Sequence, residues 1–248
     1  MKKRRGQNSV AVLGVAFAAL ALALVLWQNH DDPNVAAPRT DQAAVANGGG
    51  TTASATVVLA ADSETIAAAL ATLDAIPAEG ADEAPDYERE AFLPGGWADL
   101  DHDGCYTRNE ILQRDLVDVT FLASDPECKV ATGQLIDPYT GVTVNFDRAE
   151  STTTVQIDHL VPLAQAWRAG AWKWNKERRV AFANDPDEVL ATAGAANQSK
   201  GDKGPAEWLP ELNQCGYGAA YARLAGRYDL AIPAADRTAL RALLESCA

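Results

Sequence analysis

Apolar and polar positions alternate with two different periods along the chain. From Ser63 to Leu73 the apolar Ile66, Leu70 and Leu73 recur at helical spacing behind Ser63, a residue suited to an N-cap, and predict a first helix. Asn109 to Val119 repeats the pattern through Ile111, Leu112 and Leu116. In the middle of the chain the period changes to two: Gly141 to Phe146 (GVTVNF) and Thr153 to Ile157 (TTVQI) alternate β-branched and polar residues, as half-buried strands do. Helical patterns follow over Leu163 to Ala169 and Lys176 to Ala183, with a short strand at Val189 to Thr192 and a short helix or turn between Asn197 and Pro205. Tyr217 to Tyr228 and Ala234 to Glu245 read as closing helices. Strands enclosed by helices predict an α+β fold.

The first 61 residues follow neither pattern. Lys2, Lys3, Arg4 and Arg5 precede an uncharged run from Val10 to Trp27, so residues 1–27 form a signal peptide or an N-terminal membrane anchor with its basic end inside. The run has nearly the length of a membrane span, and the small-residue sequences Val35-Ala36-Ala37 and Ala44-Val45-Ala46 lie well beyond it; both points favour an uncleaved anchor. Residues 28–61, with Gly48-Gly49-Gly50 and few large apolar side chains, read as a flexible Ala/Gly/Thr-rich linker. The expected product is extracellular, secreted or held at the outer face of the cell membrane. Four cysteines, Cys105, Cys128, Cys215 and Cys247, suit an oxidising compartment. No CxxC pair occurs and there are only three histidines, which argues against structural zinc.

The net charge of −13 excludes a protein that coats nucleic acid by bulk electrostatics. Its distribution leaves an enzyme with a local site open. Residues 62–150 carry 20 acidic and 5 basic side chains, whereas residues 151–215 carry 8 and 7. A polyanion is expected to meet the second stretch.

Candidate chemistry lies there. Asp158-His159 follows the strand pattern directly, and an imidazole at a strand end beside a carboxylate can take a proton from water near neutral pH. About forty residues on comes Asn197-Gln198-Ser199-Lys200-Gly201-Asp202. The run from DHLVPLAQAW to NDPDEVLATAGAANQSKGD resembles the HNH endonucleases, in particular the exported family related to the C-terminal domain of GmrSD-type restriction enzymes. The likeness extends to GCYTRNEILQRDL, DPYTG, the tryptophans Trp167, Trp172 and Trp174, the WLP at Trp208 and the final cysteine, covering about residues 64–248.

The resemblance implies a ββα-metal core, embedded in helices and stapled by disulfides, within an HNH nuclease domain of residues 62–248 whose motif core spans about 141–205. It implies a metal-dependent endonuclease acting on DNA, and on RNA as the other candidate substrate, with little sequence specificity. His159 would be the general base, Asn184 its brace, Asp158 and Asn197 ligands to Mg²⁺ or Mn²⁺, and Lys200 a further catalytic residue. Lys200 or Arg148 would hold the scissile phosphate, with Arg108 a second candidate. Among the three possible cysteine connectivities, Cys105 with Cys128 and Cys215 with Cys247 leaves the nuclease motif uncrossed. No protein partner is expected.

A second motif, Asp99 to Glu110 (DLDHDGCYTRNE), fits the calcium-loop pattern D-x-[DN]-x-[DN]-G-x₅-E. Asp99, Asp101, Asp103 and Glu110 would supply carboxylates and Cys105 a backbone carbonyl. The preceding Leu93-Pro94-Gly95-Gly96-Trp97 cannot form an EF-hand entering helix. Two other readings stay open: an acidic loop pinned by a Cys105 disulfide, or a nuclease cleft lined by Arg108 and Glu110. The rival for the whole chain is a non-enzymatic calcium-binding extracellular or surface module built on this loop.

Overall fold

The computed structural model describes residue 59, residues 61–76 and residues 84–248. The signal or anchor segment and nearly all of the linker lie outside the described residues. Among the described residues no helix is long and apolar enough to cross a membrane. Leu59, within the stretch read as linker, is buried against Gly216, where an added Cβ would collide with the Leu59 carbonyl.

Seven α-helices and two antiparallel sheets make up the described residues, an α+β fold. Helix α1 (Ser63–Ala75) is capped by Asp62, whose carboxylate accepts the Thr65 N–H at 2.7 Å, one residue before the expected cap. Helix α2 (Thr107–Asp115) ends earlier than its apolar spacing suggested, because Val117–Leu122 leaves it as strand β1. β1 pairs with β2 (Asp125–Ile136), which pairs in turn with β3 (Thr143–Asp147). The long β2 has no clean alternation, and its exposed stretches carry no sequence signal strong enough to mark it.

The second sheet is a two-stranded ribbon of β4 (Val155–His159) and β5 (Val189–Ala193), with Asp158 opposite Leu190 and His159 opposite Val189. Helices α3 (Leu163–Arg168) and α4 (Lys176–Ala183) connect the strands. Helix α5 (Gly194–Lys200) leaves β5 with no intervening loop. That junction needs Gly194, since a Cβ there would come within 2.2 Å of the Thr153 carbonyl oxygen. Two strands followed at once by a helix form the ββα unit.

A two-stranded ribbon leaves unpaired backbone groups along its edge, and buried ones must find partners. Two buried carboxylates supply them here. Asp115 accepts the Ala191 N–H at 2.7 Å and Asp137 the Ala193 N–H at 2.8 Å. Arg114 donates to the Val189 carbonyl at 2.8 Å and pairs with Asp115. Ile111, Leu112, Val130, Leu135, Phe146, Val155, Ile157 and Val189 fill the space between α2, the first sheet and the ribbon. A larger core joins α1 and α3 to α6 (Gln214–Arg227) and α7 (Ala234–Cys247). Disulfides Cys105–Cys128 and Cys215–Cys247 staple the two regions.

Candidate active site

The end of β4 opens on a cleft of about 440 Å³ lined by Tyr87, Arg89, Trp97, Arg108, Asp158, His159, Asn197 and Asp202, with Gln156 between the strands and α5. Its floor is built by the ribbon. His159 is only 5% exposed, and its Nε2 lies 2.9 Å from the Ala183 carbonyl oxygen. A carbonyl only accepts, so Nε2 carries the proton and Nδ1 is the basic atom. Burial pushes the ring down to about 3, Arg89 and Lys200 press in the same direction, and the Ala183 bond opposes them. The imidazole is therefore neutral at physiological pH.

Two neighbours fix the ring. The Ala183 carbonyl orients one edge, at the C-terminus of α4. Trp97 stacks on its face, ring centroids 5.4 Å apart and planes 4° from parallel. Asn184 was expected to brace the histidine itself, but its amide accepts the Ala98 N–H at 3.0 Å and donates to the Val180 carbonyl at 2.9 Å. It thus ties the segment carrying Trp97 to the turn carrying Ala183, and the backbone carbonyl before it makes the contact with the ring.

Asp158 and Lys200 form a buried ion pair. Lys200 is fully buried, and its ammonium donates to both carboxylate oxygens of Asp158 at 2.9 and 2.8 Å and to the His159 carbonyl at 2.5 Å. All three of its protons are used. Lys200 stands behind the site, where it cannot hold a scissile phosphate. The Tyr139 hydroxyl donates to Asp158 Oδ2 at 2.6 Å, which leaves the carboxylate about one unused lone-pair position. Asn197 donates its amide N–H to Gln156 Oε1 at 2.8 Å, so its Oδ1 remains free as an acceptor. Glu188, wholly buried beside this pair, accepts the Val161 N–H at 3.1 Å, while its Oε2 has no partner; burial raises it well above the usual carboxylate range.

The acidic loop is a separate place in the fold. Asp99, Asp101 and Asp103 bring carboxylate oxygens within 4.8 Å of one another. Asp99 Oδ2 accepts the Gly104 N–H, while its buried Oδ1 has no hydrogen-bond partner. Glu110, in the first turn of α2, is raised by partial burial and then by the charges of Asp101, Asp103 and Asp99. Cys105 anchors the loop through its disulfide. Of the two arginines singled out in the sequence, Arg108 lines the cleft. Arg148 reaches the Asn109 side chain at 2.6 Å and the Val130 carbonyl at 2.5 Å.

Residues 106–222 match the family described as GmrSD restriction endonucleases, C-terminal domain. A secreted protein of the fungus Arthroderma benhamiae, itself uncharacterized, is 35% identical over 147 residues, covering 58% of this chain and 68% of that protein. This chain belongs to the GmrSD C-terminal domain family. No solved structure matches it. Membership marks the matched residues 106–222 as a nuclease-type domain, a family whose substrate class is nucleic acid. The secreted relative and the two disulfides agree with export.

Several residues at or beside this cleft are not marked by the sequence reading. Gln156 had a usable signal, lying two residues before Asp158 and so on the same face of β4. Trp97, Tyr87 and Arg89 come from a distant segment and carry no local pattern, while Tyr139 stands in the DPYTG segment without a role assigned to it there. Trp167, by contrast, packs with Phe92 and Tyr87 in the core, away from any base-stacking role.

Proposed function

We propose that this GmrSD-type domain is an exported, metal-dependent HNH endonuclease that hydrolyses phosphodiester bonds of DNA, with RNA as a second substrate, and reads little sequence. The observation that carries this reading is the neutral imidazole of His159, held at Nε2 by the Ala183 carbonyl with Nδ1 left as the base, in one cleft with Asp158 and Asn197. Nδ1 takes the proton from the attacking water. Its proton affinity is low because burial and two nearby cations oppose a positive ring. A phosphate anion bound beside it acts in the opposite sense and makes the ring a better base when substrate is present.

The donor set suits a hard cation. Asp158 offers a remaining carboxylate lone pair and Asn197 a free amide oxygen, the few oxygen ligands that Mg²⁺ or Mn²⁺ takes while keeping most of its waters. Such an ion would supply charge stabilisation for the departing 3′ oxygen. Lys200 and Tyr139 fix the position of the Asp158 carboxylate through their hydrogen bonds, as positioning residues. Magnesium-dependent nicking of plasmid DNA, lost with EDTA, tests the reading. His159→Ala should lower the rate by about 10²–10⁴. Near-parental nicking by that variant would overturn the assignment.

The unpartnered Asp99 Oδ1, inside three converging carboxylates and facing Glu110, favours a second reading for the acidic loop as a structural Ca²⁺ site. Ca²⁺ should raise the melting temperature, and Asp101→Ala should abolish that rise while nicking continues. Calcium-independent melting of the parent protein would refute it.

A further inference from the structure

Most arginines among the described residues are paired with a carboxylate, as expected of an acidic protein. Arg89, Arg108 and Arg148 have no such partner among these residues. Arg179 and Arg237 lack one as well, but each is committed to two backbone carbonyls away from the cleft.

Two of the three line the cleft, and the third stands close to one of these. Arg89 lines the cleft at the His159 end, exposed, and close enough for its charge to act on the imidazole. Arg108 lines the same cleft at the other end, where one of its terminal nitrogens donates to the Thr152 and Val155 carbonyls at 3.1 and 3.4 Å. Its remaining nitrogens have no protein acceptor. From Val155 to His159 is four strand steps, about 13 Å. Arg148 is held outside the cleft lining by Asn109 and Val130, and only two of its three nitrogens are used. Arg108 and Arg148 are near enough to repel, and burial together with the charge of Arg148 weakens the hold of Arg108 on its proton. Like charges kept close without a counter-ion are relieved by an anion. The cleft also contains two carboxylates, Asp158 and Asp202, but these pair with Lys200 and Arg168 and leave the three guanidiniums uncompensated.

We propose that Arg89, Arg108 and Arg148 form a phosphate track along β4 that seats a polynucleotide backbone on both sides of His159. The track rests on the nuclease reading and extends it: the substrate is a chain gripped at phosphates flanking the scissile one, so cleavage is internal. It also explains how a protein of net charge −13 holds a polyanion, by a short row of unpaired cations instead of a basic surface.

Salt dependence of binding tests this directly. The affinity of the full-length protein for a labelled DNA duplex and for the same single strand is measured in EDTA over a range of NaCl concentrations, alongside plasmid nicking in Mg²⁺. Each of Arg89→Ala and Arg148→Ala should reduce the slope of log K against log salt by about 0.9 on duplex and about 0.7 on single strand. Arg89→Lys and Arg148→Lys should keep the parental slope, because the charge is retained. The Arg89 side chain donates to no backbone carbonyl among those described, so its alanine variant keeps the test valid if the Arg148 variant folds poorly. A parent that nicks DNA while Arg89→Ala leaves the slope unchanged refutes the track and spares the nuclease reading. A parent that neither nicks nor binds refutes both.

Discussion

Replacing Lys200 by Met keeps the length of the side chain and removes only the ammonium. In the folded protein that ammonium is fully buried and makes three hydrogen bonds, two of them to a carboxylate that is itself 5% exposed. Without it Asp158 retains the Tyr139 hydroxyl alone and becomes a buried charge with no counter-ion. Breaking a buried pair from one side costs about 3–5 kcal/mol, against about 0–1 kcal/mol for an exposed pair. For a domain of this size each kcal/mol moves Tm by about 2–4 °C, so a fall of about 6–20 °C is expected. The double variant Asp158→Asn/Lys200→Met should recover part of that loss, because it leaves neither charge stranded. Tryptophan fluorescence during urea and thermal unfolding measures both. A Lys200→Met protein melting within about 2 °C of the parent, or a double variant less stable than the additive sum, would show that the pair does not organise the site.

Two further outcomes are expected. His159 has a depressed folded pKa of about 3 against 6.5 in the unfolded chain, so it contributes no pH dependence above about pH 7. Below that the unfolded chain takes up a proton that the folded ring refuses, and stability falls by up to about 1.4 kcal/mol per pH unit between pH 6.5 and 3. Urea unfolding at stepped pH should show this slope in the parent and a shallower one in His159→Gln. Asn184→Ala should lose about 1 kcal/mol by stranding the part-buried Ala98 N–H and should lower kcat for nicking more than it changes KM, since the substrate cleft is left in place. An unchanged kcat would mean that the alignment of Trp97 and Ala183 does not govern the base.

What the sequence determined by itself was the local chemistry and the class of fold. Strand periodicity placed Asp158 and His159 at the end of β4, and the spacing of Asn197 and Lys200 put both on one short helix, because these features depend on near neighbours in the chain. Tertiary structure decided the rest. Whether Lys200 faces the substrate or the interior depends on how closely α5 follows β5, which the contact of Gly194 with the Thr153 carbonyl sets. The brace on His159 is a backbone carbonyl, and every residue has one, so no side-chain pattern could mark Ala183. β2 was invisible because a sheet strand is stabilised by partners distant in sequence, here β1 and β3, and not by its own alternation. No sequence pattern singles out Arg89. Only the folded chain brings it to the cleft with Arg108 and leaves both without a carboxylate, while Arg168 pairs with the cleft's Asp202.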